Sequence, residues 1–365
     1  MYEHKAVGPN LKTYYYYSNE TAETKNSTKE VFVIATGMEG TGSLYNEIAD
    51  YLDSKGHALY AIDEWQYGKT GEVNKKHVYK NWGRKDSYYA AYNVHSLTVI
   101  AKSEHPNAKI CLIGNDFGAM LSLYLIKEFP EVIDRLVTIG WGMPRAQDVG
   151  FLLSSYLRKL FLWDNGTCKF AHFSKNKGLA IRFEGGSKYS WLSSDASQVQ
   201  KLVNGKYLDT PGTVGHYFYY YLRKVFTPHL FMRFKHTDKT MPMLFVSGDH
   251  DLTTLRGRRT IAMERYYRLR GFTNASSVIV PGRHELLFET NRFEFMDSII
   301  AWAENGAVGE VKEVVTQAQP EVEVVGVPAK EETNIVTVIE EPVVNPARFD
   351  ALQEADDSLV IKTIK

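Results

Sequence analysis

The chain of 365 residues is poor in cysteine, since only Cys111 and Cys168 are present. Two cysteines cannot form a disulfide framework or a cysteine-rich metal site. No apolar run approaches the roughly 18 residues of a membrane span, and Met1–Tyr17 lacks the basic and apolar regions of a signal peptide. Lysine plus arginine and aspartate plus glutamate both number 43, so no excess charge indicates a nucleic-acid partner. A cytoplasmic location is therefore expected.

Strand-like runs rich in β-branched residues alternate with helical patterns over most of the chain. This alternation predicts an α/β fold, with a mostly parallel sheet and helices on both faces. Strands are predicted at residues 31–35, 57–62, 110–113, 136–139, 243–246 and 277–280. Helices are predicted at residues 43–52, 88–102, 120–127, 258–269 and 292–303.

The alternation stops between residues 143 and 240, where aromatic residues and short helical patterns replace it. An insertion of this length after a strand predicts a helical lid, flanked by two core segments, 1–142 and 241–305. Its tyrosine-rich run, residues 217–221, is interpreted as a packed lid helix in preference to a substrate contact.

Residues 306–365 form a segment of different composition. From residue 310 onward there are 12 acidic and 5 basic side chains, so this tail carries about seven negative charges and the remainder about seven positive ones. Low aromatic content and the negative charge predict a flexible C-terminal extension. Its Val-rich run, residues 334–339, is a candidate to bind a protein partner by strand addition, but disorder is the favoured interpretation.

The most informative motif follows the strand that begins at Ile110. This strand ends in Gly114-Asn115-Asp116-Phe117-Gly118, and an apolar helix begins at once. Such a layout is typical of a nucleophile elbow, a sharp turn that exposes its central side chain while small neighbours let the backbone pass closely. The central residue of an elbow is usually serine, whereas here it is Asp116.

Two later loops supply the partners that a hydrolytic nucleophile needs. Asp251 follows the strand at residues 243–246, and His284 follows the strand at residues 277–280, in the chain order nucleophile, acid, histidine. Asp251 is preferred to Asp249 as the acid because the longer spacing lets the loop turn back toward His284. The predicted catalytic residues are thus Asp116, Asp251 and His284.

An oxyanion hole needs two backbone N–H groups near the nucleophile. Phe117, directly after the elbow residue, is predicted to supply one of them, and Met38 in the glycine-rich loop 36–42 is predicted to supply the other. This loop lacks the Gly-Lys-Ser/Thr ending of a phosphate-binding loop.

The chain resembles the bacterial lysophospholipase and monoacylglycerol lipase branch of the α/β-hydrolases, which is serine aminopeptidase S33-like. The resemblance extends from about residue 31 to residue 302 and is carried by residues 36–45, 63–71, 189–195 and 213–215, and by Pro281-Gly282-Arg283-His284-Glu285 with Glu289. It implies an α/β-hydrolase fold with an inserted lid, a small-molecule or monoacyl-lipid substrate, and no cofactor or metal. Asp116 replaces the family's serine, and Thr36 replaces the histidine of its first loop.

A carboxylate at residue 116 changes the expected chemistry. It is ionised at neutral pH, but it attacks ordinary esters poorly and suits displacement at sp³ carbon, as in epoxide hydrolases and haloalkane dehalogenases. Those enzymes commonly continue Asp-Trp-Gly, where this chain has Asp-Phe-Gly, and their His-Gly-x-Pro loop is missing here.

Three hypotheses follow from this residue. The first is a working hydrolase that uses Asp116 on epoxides, alkyl halides or activated esters. The second is an inactive pseudo-hydrolase that binds a lipid or a protein, with Asp116 stabilising a helix N-terminus. The third is an ordinary lipid esterase, which the missing serine disfavours. Retention of Asp251 and His284 favours the first hypothesis, because neither residue is needed to hold the sheet together.

Overall fold

A computed structural model shows the chain folded around one large sheet. Its order is β8-β7-β6-β5-β3-β4-β2-β1-β9, with strands at Tyr2–Gly8 (β1), Lys12–Ser18 (β2), Glu30–Ala35 (β3), Ala58–Ile62 (β4), Lys109–Asn115 (β5), Arg135–Ile139 (β6), Met243–Gly248 (β7), Ala275–Val280 (β8) and Val338–Ile339 (β9). The structure describes residues 1–8, 12–21, 24–37, 39–74, 86–162, 183, 187–205, 214–215, 217–218, 234, 236–305 and 338–339.

The central strands β3 to β8 are mutually parallel, whereas β2 runs antiparallel to both β4 and β1. Every residue of β3, β4 and β7 is buried. Continuous apolar, β-branched runs of this kind form strands that are covered on both faces. The predicted mostly parallel α/β sheet is therefore confirmed.

Eight α-helices and four short 3-10 turns lie in the described part of the chain. The helices are Asn46–Ser54 (α1), Gly68–Val73 (α2), Asp86–Glu104 (α3), Phe117–Glu128 (α4), Ala146–Leu162 (α5), Ala196–Gly205 (α6), Arg258–Leu269 (α7) and Arg292–Asn305 (α8). The 3-10 turns are Lys25–Ser27, Gly42–Tyr45, Pro130–Val132 and Leu286–Phe288.

The hydrophobic core has two layers, one on each face of the sheet. Residues of α3, α4 and α7 pack on one face, and residues of α1, α6 and α8 pack on the other. In α4, ten consecutive residues beginning at Phe117 are buried, because this helix is apolar on all sides and therefore stable only inside the protein. Helices on both faces, as predicted, leave the ends of the strands as the accessible edges.

The N-terminal hairpin of β1 and β2 was not predicted. The four consecutive tyrosines of β2, Tyr14–Tyr17, show no polar and apolar alternation, so the period that identifies a strand is absent. They are nevertheless buried or half-buried, since this hairpin extends the parallel sheet beyond β4.

The predicted lid, residues 143–240, is described only in part. Its described portions include α5, residues 187–195 and α6. Of the tyrosine-rich run, Tyr217 and Phe218 are buried, and residues 219–221 lie outside the described residues.

In the predicted tail, the described residues 338–339 pair in parallel with Lys5 and Ala6 of β1. Residues 306–337 and 340–365 lie outside the described residues, so the predictions of flexibility and of a protein partner remain untested. Within the described ranges, no helix combines the length and the apolar character that crossing a bilayer requires.

Candidate active site

Asp116 lies in a sharp turn between β5 and α4, as the sequence motif predicts. Its φ and ψ are 46° and −110°, a conformation that costs a residue with a side chain about 1–3 kcal/mol. The turn is tightly packed, because a Cβ atom on Gly118 would lie 1.9 Å from the Ala35 carbonyl oxygen, and one on Gly114 would lie 2.4 Å from the Ala119 Cα. Both positions therefore require glycine.

The register of the sheet brings the three predicted catalytic residues to one edge. Gly248 at the end of β7 lies opposite Val280 at the end of β8, so the loops that carry Asp251 and His284 leave the sheet side by side. The carboxyl ends of parallel strands are the usual place for a ligand in such sheets.

His284 lies between the two carboxyl groups. Its Nδ1 is 3.1 Å from Oδ2 of Asp251, and its Nε2 is 3.6 Å from Oδ1 of Asp116. The His284 and Asp251 side chains are buried, whereas the Asp116 side chain is 10% exposed. The structure thus places Asp116, His284 and Asp251 in a continuous line, in which Asp116 is the most exposed member.

Thr253 belongs to this line, although the sequence did not single it out. Its backbone N–H and its hydroxyl both donate to Oδ1 of Asp251, over 2.8 and 2.7 Å. The same hydroxyl is 3.1 Å from Nδ1 of His284. A hydroxyl two residues after the acid carries no distinctive pattern, so only the folded loop reveals this contact.

Charges and hydrogen bonds around His284 and Asp251 shift the pKa values of both side chains toward their charged forms. Burial alone would lower the pKa of His284, but the charge of Asp251 and hydrogen bonding to Asp116 and Asp251 outweigh it and raise that pKa from 6.5 to about 10. Burial would likewise raise the pKa of Asp251, yet His284 and the hydrogen bonds from Thr253 lower it below its usual value. These contacts therefore favour the imidazolium form of His284.

The ring of His284 is also confined by packing. Trp191, in the described part of the predicted lid, lies with its ring centroid 5.1 Å from that of His284. The next residue, Leu192, accepts a hydrogen bond from the backbone N–H of Glu285 over 2.8 Å. This portion of the insertion is thus attached to the histidine loop and forms a wall of the site.

Of the two predicted oxyanion-hole donors, only Phe117 lies within the described residues. Phe117 is the first residue of α4, so its N–H lies at the N-terminus of that helix, next to Asp116. Met38 lies outside the described residues, and its role remains a prediction. In the described part of the chain, His, Cys, Asp and Glu side chains form no group of three or more suited to a metal ion.

A profile of the serine aminopeptidase S33 family matches residues 26–291, an interval that contains the elbow, Asp251 and His284. The chain belongs to the serine aminopeptidase S33 family. This membership confirms, at the level of the family, the resemblance carried by the sequence motifs. No curated protein sequence matches the chain.

Solved structures support the same fold for this S33-family protein. A thermostable carboxyl esterase from Bacillus coagulans has a TM-score of 0.68 at 17% identity, over 84% of this chain and 99% of the esterase. A lipase in its open form has a TM-score of 0.66 at 15% identity, over 82% and 97% of the two chains. A soluble variant of the Saccharomyces cerevisiae monoglyceride lipase has a TM-score of 0.53 at 12% identity, over 81% and 93%. At such identities the likeness establishes the α/β-hydrolase fold alone.

Proposed function

We propose that this S33-family protein is a hydrolase that acts on a small or lipid-like substrate through Asp116 as nucleophile, with His284 and Asp251 as its partners. The observation that carries this proposal is the position of the His284 ring, 3.6 Å from the Asp116 carboxyl and 3.1 Å from that of Asp251. A substrate of this site has an electrophilic carbon that a carboxylate attacks, as in an epoxide, an alkyl halide or an activated ester.

In the first step with an alkyl halide or an epoxide, an Asp116 oxygen forms a bond to the electrophilic carbon while the bond to the leaving group breaks. A halide departs as an anion and needs no proton. An epoxide oxygen leaves on the face of the carbon opposite Asp116 and takes its proton from solvent water, because the His284 ring lies on the Asp116 side. Either reaction leaves an ester between Asp116 and the substrate carbon.

Formation of this ester changes the charge on one side of His284. The pKa of His284 is raised by charge and hydrogen bonding from Asp251 and Asp116, and esterification removes the negative charge of Asp116. The pKa of His284 then falls, which favours release of its proton. Neutral His284 is the base that the second step needs.

In the second step, His284 removes a proton from water, and the water oxygen attacks the ester carbonyl of Asp116. The resulting oxyanion is stabilised by the Phe117 N–H and by the second donor predicted at Met38. When the alcohol leaves, it takes the proton from His284, and Asp116 retains an oxygen that came from water. Transfer of the remaining carboxyl proton to His284 restores the starting charges.

One feature of the elbow favours this role over a purely structural one. Asp116 occupies the N-cap position of α4, yet its side chain makes no capping hydrogen bond to that helix. Its Oδ1 lies near His284 instead. An aspartate retained to stabilise the helix would be expected to bond the N–H groups of the first turn.

The test is the direct detection of the ester. His284→Ala is incubated with a panel of alkyl halides and epoxides, and intact mass spectrometry with peptide mapping locates any adduct. We expect adducts on Asp116 with alkyl halides first, because halide departure needs no proton. Asp116→Asn should form none, and Asp238→Asn, which alters a fully exposed acid, should react as the wild type does.

Isotope labelling separates this mechanism from direct attack by water. A single turnover of the wild type in H₂¹⁸O should place ¹⁸O in the Asp116 carboxyl group. The absence of an adduct with every panel member, in both wild type and His284→Ala, would contradict the proposal and favour the pseudo-hydrolase hypothesis.

A further inference from the structure

Three buried polar side chains connect the loops of the candidate site. Asn115 donates from Nδ2 to Oε2 of Glu285 over 2.6 Å, and the same nitrogen lies 3.4 Å from the Tyr45 hydroxyl. All three residues are about 1% exposed. We call Tyr45, Asn115 and Glu285 the buried brace.

Each member of the buried brace is next to a different part of the site. Asn115 precedes Asp116, and Glu285 follows His284. The Tyr45 hydroxyl is hydrogen-bonded to the backbone of Gly37, in the loop where the oxyanion hole is predicted. The Asn115–Glu285 hydrogen bond therefore spans 170 positions in the sequence to connect the two loops whose side chains would react.

The side chains of the buried brace are polar, and burying polar groups costs folding free energy. Their presence therefore indicates a role beyond filling space. Burial of an amide or a carboxyl group costs free energy unless hydrogen bonds replace those lost to water, and apolar side chains of similar size avoid that cost. A hydrogen bond between planar groups adds a defined distance and direction that apolar packing does not impose.

One buried hydrogen-bonding atom of the buried brace has no partner in the described part of the chain, and it shows how specific the contact between Asn115 and Glu285 is. Asn115 Oδ1 has no hydrogen-bond partner among the described residues, although it is buried. The amide orientation is dictated by Glu285, because an amide oxygen facing its carboxyl oxygen would be repelled. The Asn115 amide is thus committed to the contact between the elbow and the histidine loop.

We infer that Tyr45, Asn115 and Glu285 are positioning residues that set the separation of the Asp116 carboxyl and the His284 ring. This inference rests on the proposed function of Asp116. Asn115 and Glu285 are each one peptide bond away from a residue whose side chain would react, so a shift in either backbone is transmitted directly. Misplacement by about 1 Å lowers the rate of a positioned reaction by about 100-fold.

The test compares three substitutions. Asn115→Leu removes the donor at similar size, Glu285→Gln retains an oxygen acceptor and serves as the conservative variant, and Tyr60→Phe is the matched control. Tyr60 is as buried as Asn115, and its hydroxyl bonds Glu104 and His105, away from the candidate site. The measurements are unfolding by urea, the NMR titration of His284, and the rate of alkyl-ester formation at Asp116.

We expect Asn115→Leu and Tyr60→Phe to lower stability by similar amounts, since each removes a buried hydrogen bond. Only Asn115→Leu should move the His284 titration to lower pH and slow ester formation by about 100-fold. Glu285→Gln, which keeps an oxygen acceptor for Asn115, should retain most of the wild-type rate of ester formation.

Equal His284 titrations and equal rates in Asn115→Leu and Tyr60→Phe would show that the brace has only a structural role and would overturn the inference. The His284 titration needs no substrate. A wild type that forms no ester would therefore contradict the proposed function, while a His284 titration that is the same in Asn115→Leu and wild type would separately contradict the brace.

Discussion

Gly140 lies directly against the ring of His284. A Cβ atom on Gly140 would be 2.9 Å from Cε1 and 3.1 Å from Nδ1 of His284, and the φ of this glycine is 67°. Gly140 follows β6, the strand next to β5, so the space for the histidine ring is created by a strand that carries none of the predicted catalytic residues.

Gly140→Ala is expected to displace the His284 ring. The substitution combines the cost of a positive φ, about 1–2 kcal/mol, with a contact that is too short for a methyl group. Its control is Gly271→Ala, since Gly271 has a φ of 91° but nothing within 4 Å of the Cβ position. Both variants should be destabilised in urea unfolding, but only Gly140→Ala should lose ester formation. Equal activity of the two variants would contradict a role for this contact.

The charge on His284 predicts a specific dependence of stability on pH. The pKa of this group is about 10 in the folded protein and 6.5 ordinarily, so its raised pKa stabilises the fold fully below about pH 6.5. That stabilisation is lost as pH rises through about 10. The difference in unfolding free energy between wild type and His284→Gln should shrink over this range, as measured by urea unfolding at several pH values.

Asp251→Asn provides the control for the pH measurement. It removes the carboxylate charge that does most to raise the pKa of His284, so the loss of stabilisation should move to lower pH. An unchanged pH dependence in Asp251→Asn would show that Asp251 is not the source of the imidazolium charge.

The nucleophile position offers a gain-of-function experiment. In Asp116→Ser the carboxylate is lost, the pKa of His284 should fall, and a neutral imidazole can then activate the serine hydroxyl. We expect the variant to hydrolyse p-nitrophenyl or monoacylglycerol esters measurably, whereas Asp116→Ala should not. A folded Asp116→Ser variant with no esterase activity would show that serine chemistry is no longer supported, for example because the oxyanion hole predicted at Met38 is absent.

The sequence predicts the elements of this fold better than the contacts between them. The strands that end near Asp116, Asp251 and His284 are short apolar runs followed by glycine-containing loops, and both signals are local. In contrast, the hairpin of β1 and β2 has no period-two pattern, because it packs at the end of the sheet with tyrosines buried on both of its faces. Its assignment requires the partner strand β4.

The supporting contacts of the site were missed for a related reason. Asn115, Glu285 and Trp191 lie in segments that the sequence analysis singles out for other reasons, and nothing in those segments indicates that these side chains contact one another or the His284 ring. Their importance comes from contacts across 170 and 93 positions, which no local pattern encodes. The chemistry-bearing residues follow the ends of strands, whereas the residues that orient them depend on the packing of distant loops.

Glu289 attaches the described part of the insertion to the histidine loop. It is buried and accepts hydrogen bonds from the backbone N–H groups of Arg283 and Ser194, at 2.7 and 3.0 Å. In Glu289→Gln, an amide NH₂ would face one of these donors, so we expect a loss of about 1–3 kcal/mol of stability. Because Arg283 precedes His284, ester formation at Asp116 should slow as well.

The matched control for Glu289 is Asp238→Asn. Asp238 also accepts hydrogen bonds from a neighbouring backbone N–H and hydroxyl, those of Thr240, but it is fully exposed. Water can replace its lost bonds, so little change in urea unfolding is expected. If Glu289→Gln unfolds at the same urea concentration as Asp238→Asn and retains the wild-type rate of ester formation, then this attachment does not hold the histidine loop. The contact between residues 189–195 and the histidine loop would then depend on the hydrogen bond from the Glu285 N–H to the Leu192 carbonyl instead.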